Sequence, residues 1–228
     1  MEEKNYRCVE CGFLLKALYV EYSPGNIRLV KCENCKAVAD EYIECEFMII
    51  LLDLILHNPK AYRHVLFNER NLLLNISFRW LSCAFLLLEA FRSFIWRSIE
   101  RQWSSSPGLP SAVLFRMVML DVILGNIIFV FILLIGMMCF MRHSVTSSRW
   151  RSVLLATLVS SYLKTFYIAM MVWEFPASVV LIVDLFILSS NTVALEVITD
   201  EGLRRCAAAC LCAHAGRLAF TSAWSCAR

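Results

Sequence analysis

Four cysteines near the start of the chain have the types and spacing of a metal site. Cys8 and Cys11 form one Cys-x-x-Cys pair, and Cys32 and Cys35 form a second pair after twenty intervening residues. Each pair turns the backbone so that both sulfurs can face one ion, which is typical of a four-thiolate zinc site. Four thiolates close the coordination shell, so the predicted cofactor is a structural zinc ion. A redox pair and a disulfide framework are the alternatives, and a disulfide framework requires an oxidising compartment.

The segment between the two cysteine pairs predicts a β-hairpin. Residues 17–22 and 27–31 are rich in β-formers, and Pro24 followed by Gly25 suits the central positions of a type II turn. Gly12 suits the tight turn after the first pair. We therefore predict a zinc ribbon over residues 1–46. So short a module buries little apolar surface, and zinc would supply on the order of 10 kcal/mol of its folding free energy.

The next segment, residues 47–71, combines a short apolar run with a polar one. Phe47–Leu56 is too short to cross a bilayer, so it is predicted to be an interfacial or re-entrant helix, or a helix packed on the bundle, that ends at His57-Asn58-Pro59. Tyr62, Arg63 and His64 follow, and they mix aromatic and basic groups. Such a mixture is typical of residues at the level of lipid headgroups, and a plain surface turn is the alternative.

Residues 72–228 are predicted to form a transmembrane helical region. The chain is 59% hydrophobic with a mean hydropathy of +0.63, which is too apolar for an ordinary soluble domain. Several apolar stretches are long enough to span a bilayer, namely 72–91, 117–141, 153–173 and 177–198. The fold class is thus mainly α, a polytopic membrane protein of about four spans with a small N-terminal β zinc ribbon. A fifth span within 203–220 stays open, because Thr221–Arg228 is polar and small.

Ionisable residues lie inside these predicted spans. Each charge costs about 3 kcal/mol at a helix centre, so the side chains should face the bundle interior, a wet cavity or a headgroup. Glu174-Phe175-Pro176 is so short that its flanking spans should be antiparallel neighbours, which puts Lys164 and Asp184 at similar depth. We expect Lys164 to pair with Asp184 or Asp121, either as a static ion pair or as a polar site for a lipid headgroup or sterol hydroxyl. Arg79 is the fourth of these ionisable residues inside the predicted spans.

The distribution of charge predicts the topology and excludes some functions. With residues 1–71 in the cytosol, the cytosolic segments near the membrane carry eight basic residues, against four on the opposite side. This count and the reduced thiols favour a cytosolic N-terminus. Residues 1–46 carry nine acidic and six basic side chains, so no nucleic-acid partner is expected. The chain has no nucleophile elbow, Gly-rich phosphate loop or HExxH motif, so we do not expect an enzyme.

Three cysteines and a histidine near the end of the chain suggest a second metal site. They are Cys206, Cys210, Cys212 and His214. Cys206 and Cys210 share a helical face, but Cys212 does not. This placement favours helix cysteines near a membrane, with acylation as one outcome, over a metal centre.

Several motifs resemble those of a known family. The strongest are Tyr6–Cys11, Cys32–Cys35, Asp40–Glu44 and Ala61–Asn68, and further ones are Ser160–Lys164, Val172–Glu174 and Leu188–Asn191. On these residues the chain resembles the Arv family of endoplasmic-reticulum proteins, and its plant members most of all. The resemblance implies an endoplasmic-reticulum membrane protein in sterol homeostasis. It further implies sterol trafficking between membranes, with effects on sphingolipid metabolism and glycolipid-anchor synthesis. Family members usually continue through another apolar stretch beyond the position of His214, from which Phe220–Arg228 departs.

Two functional hypotheses follow, with different partners. In the first, the protein handles membrane lipids, with sterols and sphingolipids as its partners. In the second, it is a membrane-anchored zinc-ribbon scaffold that recruits lipid-synthesis or glycolipid-anchor machinery. An intramembrane enzyme is a third class, and no motif in the chain favours it.

Overall fold

The chain folds into two compact units, which are described separately below. The computed structural model describes residues 6–69, 78–104, 111–140, 147–167 and 178–226. The N-terminal unit comprises Met1–Ile76 with Val197–Thr199, and the helical unit comprises Ser77–Glu196 with Asp200–Arg228.

The N-terminal unit begins with two short antiparallel hairpins. Strand β1 (Tyr6–Arg7) pairs with β2 (Leu14–Leu15), and β3 (Tyr19–Ser23) pairs with β4 (Asn26–Leu29). The loop between β3 and β4 is Pro24-Gly25, and Gly25 has a φ of +83°, as the third position of a type II turn requires. The hairpin predicted between the cysteine pairs is therefore confirmed.

Short helices complete the N-terminal unit. A 3-10 turn (Glu41–Glu44) leads into helix α1 (Phe47–Ile55) and then α2 (Pro59–Arg63), which continues as a π-helical turn (His64–Asn68). The predicted break between α1 and α2 is confirmed. His57 has a φ of +59°, and the Asn58 side chain caps α2 by accepting the Lys60 amide hydrogen at 3.2 Å.

Long helices make up the second unit. They are α3 (Phe78–Ser104), α4 (Ser111–Phe140), α5 (Ser147–Ser160), α6 (Ser178–Thr199) and α7 (Leu203–Cys226), with a 3-10 segment (Ser161–Thr165) after α5.

Two segments of these helices are long and apolar enough to span a membrane. Within the described residues they are Ala112–Phe140 and Leu181–Thr199, which is consistent with a membrane protein. The other two predicted spans, 72–91 and 153–173, do not appear as single long apolar helices in the described part of the chain. Ser82–Phe91 is the apolar part of α3, and the stretch that starts at Val153 tightens from α to 3-10 geometry at Ser161. Residues 72–77, 168–173 and the predicted connection 174–176 lie outside the described part of the chain.

Helix α7 is longer than the sequence suggested. The small, polar residues after 220 were expected to end the apolar stretch, yet the helix runs on to Cys226 and packs along α4. Small residues allow the close approach. A Cβ atom on Gly136 of α4 would lie only 3.3 Å from the Cα of Ala209 on α7. Packing of small residues between helices thus stabilises a segment whose own composition is only weakly apolar.

Candidate functional site

The four N-terminal cysteines converge on one point. Their Sγ atoms all lie within 4.8 Å of one another, with 3.7 Å between Cys8 and Cys35 and 3.7 Å between Cys11 and Cys32. A tetrahedral ion with bonds of about 2.3 Å to sulfur requires S···S distances of about 3.8 Å. The cluster therefore has the donor set and the dimensions of a closed four-thiolate metal site.

The same backbone turn presents both cysteine pairs. The amide of Gly12 donates to the Cys8 carbonyl at 2.9 Å, and the amide of Lys36 donates to the Cys32 carbonyl at 3.0 Å. Both residues have left-handed backbone angles, with φ of +76° and +64°. Only Gly12 gave a sequence signal, because a lysine is not expected in this conformation, which costs about 1 kcal/mol.

The cluster holds its thiols in different electrostatic environments. Burial raises the pKa of the Cys8 thiol to about 12. Burial also raises the pKa of Cys11, but hydrogen bonds from the Phe13 backbone, the Asn34 side chain and the neighbouring thiols outweigh it and lower that pKa to about 6. A metal ion bound here must displace the proton of Cys8, so metal affinity should fall as the pH falls.

A buried polar network on Asp40 fastens the cluster to the segment that follows it. Asp40 is fully buried, and its Oδ2 accepts from Asn68 Nδ2 at 2.6 Å and from His64 Nδ1 at 2.8 Å. Its Oδ1 accepts from the Tyr42 amide at 3.0 Å. The Asn68 side chain also bonds to the backbone of Arg7, directly before the first cysteine: its Nδ2 donates to the Arg7 carbonyl at 2.8 Å, and its Oδ1 accepts from the Arg7 amide at 2.9 Å. Residues 40–68 are therefore part of the framework that positions the thiols.

Tyr62, Arg63 and His64 have structural roles that their sequence context did not predict. Tyr62 and His64 are 1% and 3% exposed, so their side chains are buried within the N-terminal unit and do not form a plain surface turn. The Tyr62 hydroxyl donates to the Leu54 carbonyl at 3.2 Å. Arg63 Nη1 donates to the carbonyls of Val9 at 2.7 Å and Glu10 at 3.0 Å, inside the first cysteine pair. Local sequence patterns do not reveal such partners, because Arg63 bonds to residues more than fifty positions away and His64 to Asp40, 24 positions away.

The helical unit contains a second polar centre, built on Glu89 of α3. This carboxylate is 2% exposed. Its Oε2 lies 3.0 Å from Lys164 Nζ and accepts from Asn126 Nδ2 at 3.3 Å, and its Oε1 contacts the Arg217 guanidinium. The 3-10 segment, α4 and α7 supply these three partners. We call these residues the Glu89 network.

The Glu89 network replaces the ion pair expected from the sequence. Lys164 was expected to pair with Asp184 or Asp121, and the structure pairs it with Glu89. Asp184 accepts a hydrogen bond from the Tyr167 hydroxyl, and Asp121 lies 2.8 Å from Arg97. The side chain of Arg79 lies outside the described residues. Glu89 and Arg217 were missed as site residues, although a charge inside an apolar stretch is the signal that points to them.

A cavity of about 180 Å³ lies beside the Glu89 network. Lys164 and Arg217 line it, together with apolar side chains that include Phe85, Phe129, Val130 and Leu158. The cavity thus has two cationic groups in its wall, beside apolar side chains and several polar ones such as Asn126 and His214.

Polar side chains from two motifs that are distant in sequence, Ser160–Lys164 and Leu188–Asn191, are hydrogen-bonded near this cavity. Ser160 Oγ donates to Asn191 Oδ1 at 2.5 Å, and Ser190 Oγ donates to the Ser160 carbonyl at 3.0 Å. Asn191 Nδ2 lies 3.3 Å from His214 Nε2.

Cys206 and Cys210 are buried and Cys212 is exposed, so this end of α7 does not bring the three cysteines to one point.

Comparisons with known proteins identify relatives across eukaryotes. The profile of the Arv1-like family matches residues 7–195. "Protein ARV 1" of Arabidopsis thaliana is 47% identical over 219 residues, covering 94% of this chain and 86% of that protein. "Protein ARV 2" of the same plant is 44% identical, covering 95% and 94%. "Protein ARV1" of Homo sapiens is 30% identical, covering 85% and 72%. No solved structure matches the chain significantly.

Proposed function

Since the chain belongs to the Arv1-like family, we propose that it is an endoplasmic-reticulum membrane protein that maintains sterol homeostasis. Its activity is the movement and distribution of sterols between membranes, with effects on sphingolipid metabolism. The observation that carries this proposal is the family match over residues 7–195, which includes the cysteine cluster and the helices as far as α6. The names of these relatives name no reaction, and the role proposed here is not a catalytic one.

The ion proposed for the cysteine cluster is zinc. The donor set of four thiolates and the S···S distances of 3.7 Å support it, because zinc binds such sets in a tetrahedron. Cys8, Cys11, Cys32 and Cys35 would hold the ion. Zinc would crosslink two short hairpins that share only a small apolar core, and it would link their folding to metal.

We propose four spans with a cytosolic N-terminus. The four long apolar stretches of the sequence and the excess of basic residues on one side support this arrangement. Two of these stretches contain the candidate spans of the described chain. Protease treatment of intact microsomes tests it with a tag at the N-terminus and another within residues 142–152. Both tags should be cleaved before detergent is added. Protection of either tag until detergent is added would contradict the topology.

Transfer assays with purified protein test the lipid role. Full-length protein is added to donor liposomes that carry fluorescent sterol or ceramide, and the arrival of the lipid in acceptor liposomes is followed. We expect sterol transfer to accelerate. Lys164→Ala should reduce it, because Lys164 contacts the buried Glu89 carboxylate at 3.0 Å and so helps to hold the helices of this unit together. Arg205→Ala is the matched control, since Arg205 is an exposed basic residue that does not line the cavity and pairs with Glu201 at 2.6 Å. Transfer no faster than the spontaneous rate would argue against direct lipid movement.

The alternative is a scaffold that recruits lipid-synthesis or glycolipid-anchor machinery. One observation favours it: the β3–β4 hairpin exposes large side chains, with Tyr19 and Val20 each 46% exposed and Tyr22 67% exposed. Val20→Ser with Tyr22→Ser tests this hypothesis without touching the thiols. A recruiter should lose its rescue of sterol distribution in cells that lack the endogenous protein, with transfer by the purified protein unchanged. A lipid carrier should keep both activities.

A further inference from the structure

Two cations of the Glu89 network converge on one carboxylate. Glu89 contacts both Lys164 and Arg217, and it is only 2% exposed. The third partner, Asn126, is a neutral donor. Asp184 is a further carboxylate of this unit, and it accepts a hydrogen bond from the Tyr167 hydroxyl. Charged groups in such surroundings depend on nearby groups of opposite sign.

Both cations of this network also reach the cavity. Lys164 and Arg217 line it, with side chains 12% and 21% exposed. An ammonium offers about three N–H groups and a guanidinium about five. The cavity thus presents donors and positive charge to whatever enters it.

The size and walls of the cavity restrict the ligand. Its volume of about 180 Å³ is similar to the roughly 150 Å³ of an apolar cavity that accommodates benzene. It therefore has room for one headgroup with a few methylenes and not for a whole sterol or diacyl lipid. Phe85, Phe129 and Leu158 supply hydrocarbon contacts beside the two cations. Asn126 lies at the midpoint of the candidate span Ala112–Phe140, where hydrocarbon rather than water surrounds a spanning helix.

We propose that this cavity binds the anionic headgroup, phosphate or carboxylate, of an amphipathic lipid together with its first methylenes. Arg217 provides the geometry for bidentate contact with two oxygens, and Lys164 provides a second positive charge. Glu89 orients both cations. The proposal depends on the proposed function only in placing the helical unit in a membrane, and it names a ligand class that sterol homeostasis does not.

Binding of simple single-chain probes tests the proposal. Full-length protein in phosphatidylcholine nanodiscs is titrated with radiolabelled oleate, oleyl phosphate, oleyl alcohol or inorganic phosphate. We expect oleate and oleyl phosphate to bind at least tenfold more tightly than oleyl alcohol, which lacks the charge. Inorganic phosphate should also bind at least tenfold more weakly, because it lacks the tail. Oleyl alcohol that binds as tightly as oleate would show that the site does not require a negative charge. Inorganic phosphate that binds as tightly as oleyl phosphate would show that the site does not require a hydrocarbon tail. Either result would overturn the proposal.

Variants separate a binding site from a structural ion cluster. Arg217→Gln should weaken oleate binding at least tenfold, and Arg205→Gln on the same helix should leave it unchanged. Glu89→Gln removes negative charge and keeps one acceptor oxygen, so it should bind oleate at least as tightly as the original protein. A purely structural cluster predicts the opposite for Glu89→Gln, namely a loss as large as that of Arg217→Gln.

A cavity-filling variant separates loss of the binding site from misfolding caused by loss of a charged residue. Val130→Phe leaves the charged residues in place and fills the cavity, so it should abolish oleate binding while thermal unfolding in the nanodisc stays cooperative. Oleate binding that persists in folded Val130→Phe would place the site elsewhere and overturn the proposal, whatever the fate of Arg217→Gln. Sterol transfer measured on the same preparations is independent. Its failure with oleate binding intact would refute the proposed function alone.

Discussion

Replacing Asp40 with alanine should strongly destabilise the N-terminal unit without changing a cysteine. Its buried carboxylate accepts three hydrogen bonds, from Asn68 at 2.6 Å, His64 at 2.8 Å and the Tyr42 amide at 3.0 Å. A buried donor that loses its acceptor costs about 1–3 kcal/mol. Three such donors put the loss on the order of 5 kcal/mol, which is a large part of the roughly 5–15 kcal/mol that stabilises a whole domain.

Hydrogen exchange at a distant amide measures this loss in the full-length protein. The Arg7 amide donates to Asn68 Oδ1 at 2.9 Å, so it reports on the framework without bonding to the mutated side chain. Since about 1.4 kcal/mol corresponds to tenfold, its protection should fall by roughly three powers of ten. Asp40→Asn keeps one acceptor oxygen, so the free energy of unfolding should fall by about half as much as in Asp40→Ala.

The neighbouring Glu41→Ala is the matched control. Its carboxylate is 56% exposed and lies 3.8 Å from Lys60, so its removal should change the free energy of unfolding by less than about 1 kcal/mol. Protection of the Arg7 amide that is equal in Asp40→Ala and Glu41→Ala would refute the reasoning. It would mean that the network fills space without contributing to stability.

Further predictions concern the cysteine turns and the helical unit. Lys36→Gly should stabilise the N-terminal unit by about 1 kcal/mol, because glycine adopts a φ of +64° without strain, and chemical denaturation would measure it. Acidification should release the metal progressively, because protons compete with the ion for the four thiolates, among them Cys8, whose thiol pKa is raised by burial; a chromogenic chelator followed against pH checks this. Lys164→Ala and Glu89→Ala should be non-additive in thermal unfolding, with a coupling of about 1 kcal/mol or more, whereas additivity would mean that the 3.0 Å contact is energetically silent.

Local patterns predicted the elements that are determined locally. The spacing of the cysteines predicted the convergence of four thiols, because a Cys-x-x-Cys turn leaves few geometries for its sulfurs. Pro24-Gly25 predicted the loop between β3 and β4, since φ values fix the turn type there. The apolar runs likewise predicted helices at α1, α4 and α6, although the described chain offers two segments that meet the criteria for a span.

Contacts between residues far apart in sequence could not be predicted in the same way. Glu89 and Lys164 are separated by 75 positions, and Arg7 and Asn68 by 61. A lone sequence shows that a buried charge needs a partner, but several candidates of opposite sign were available to Lys164. The choice depends on how the helices pack, and α7 enters that packing through small residues that carry almost no apolar signal.

The metal content of the purified protein tests the central claim most directly. Full-length protein, purified under reducing conditions, should contain one zinc ion per chain by elemental analysis. Cobalt substituted for zinc should give the absorption of a tetrahedral thiolate site. Cys32→Ser should lose most of the metal, while Cys45→Ser, which changes a cysteine outside the cluster, should keep it. Protein without zinc, or zinc that is undiminished in Cys32→Ser, would contradict a metal centre built by these four cysteines.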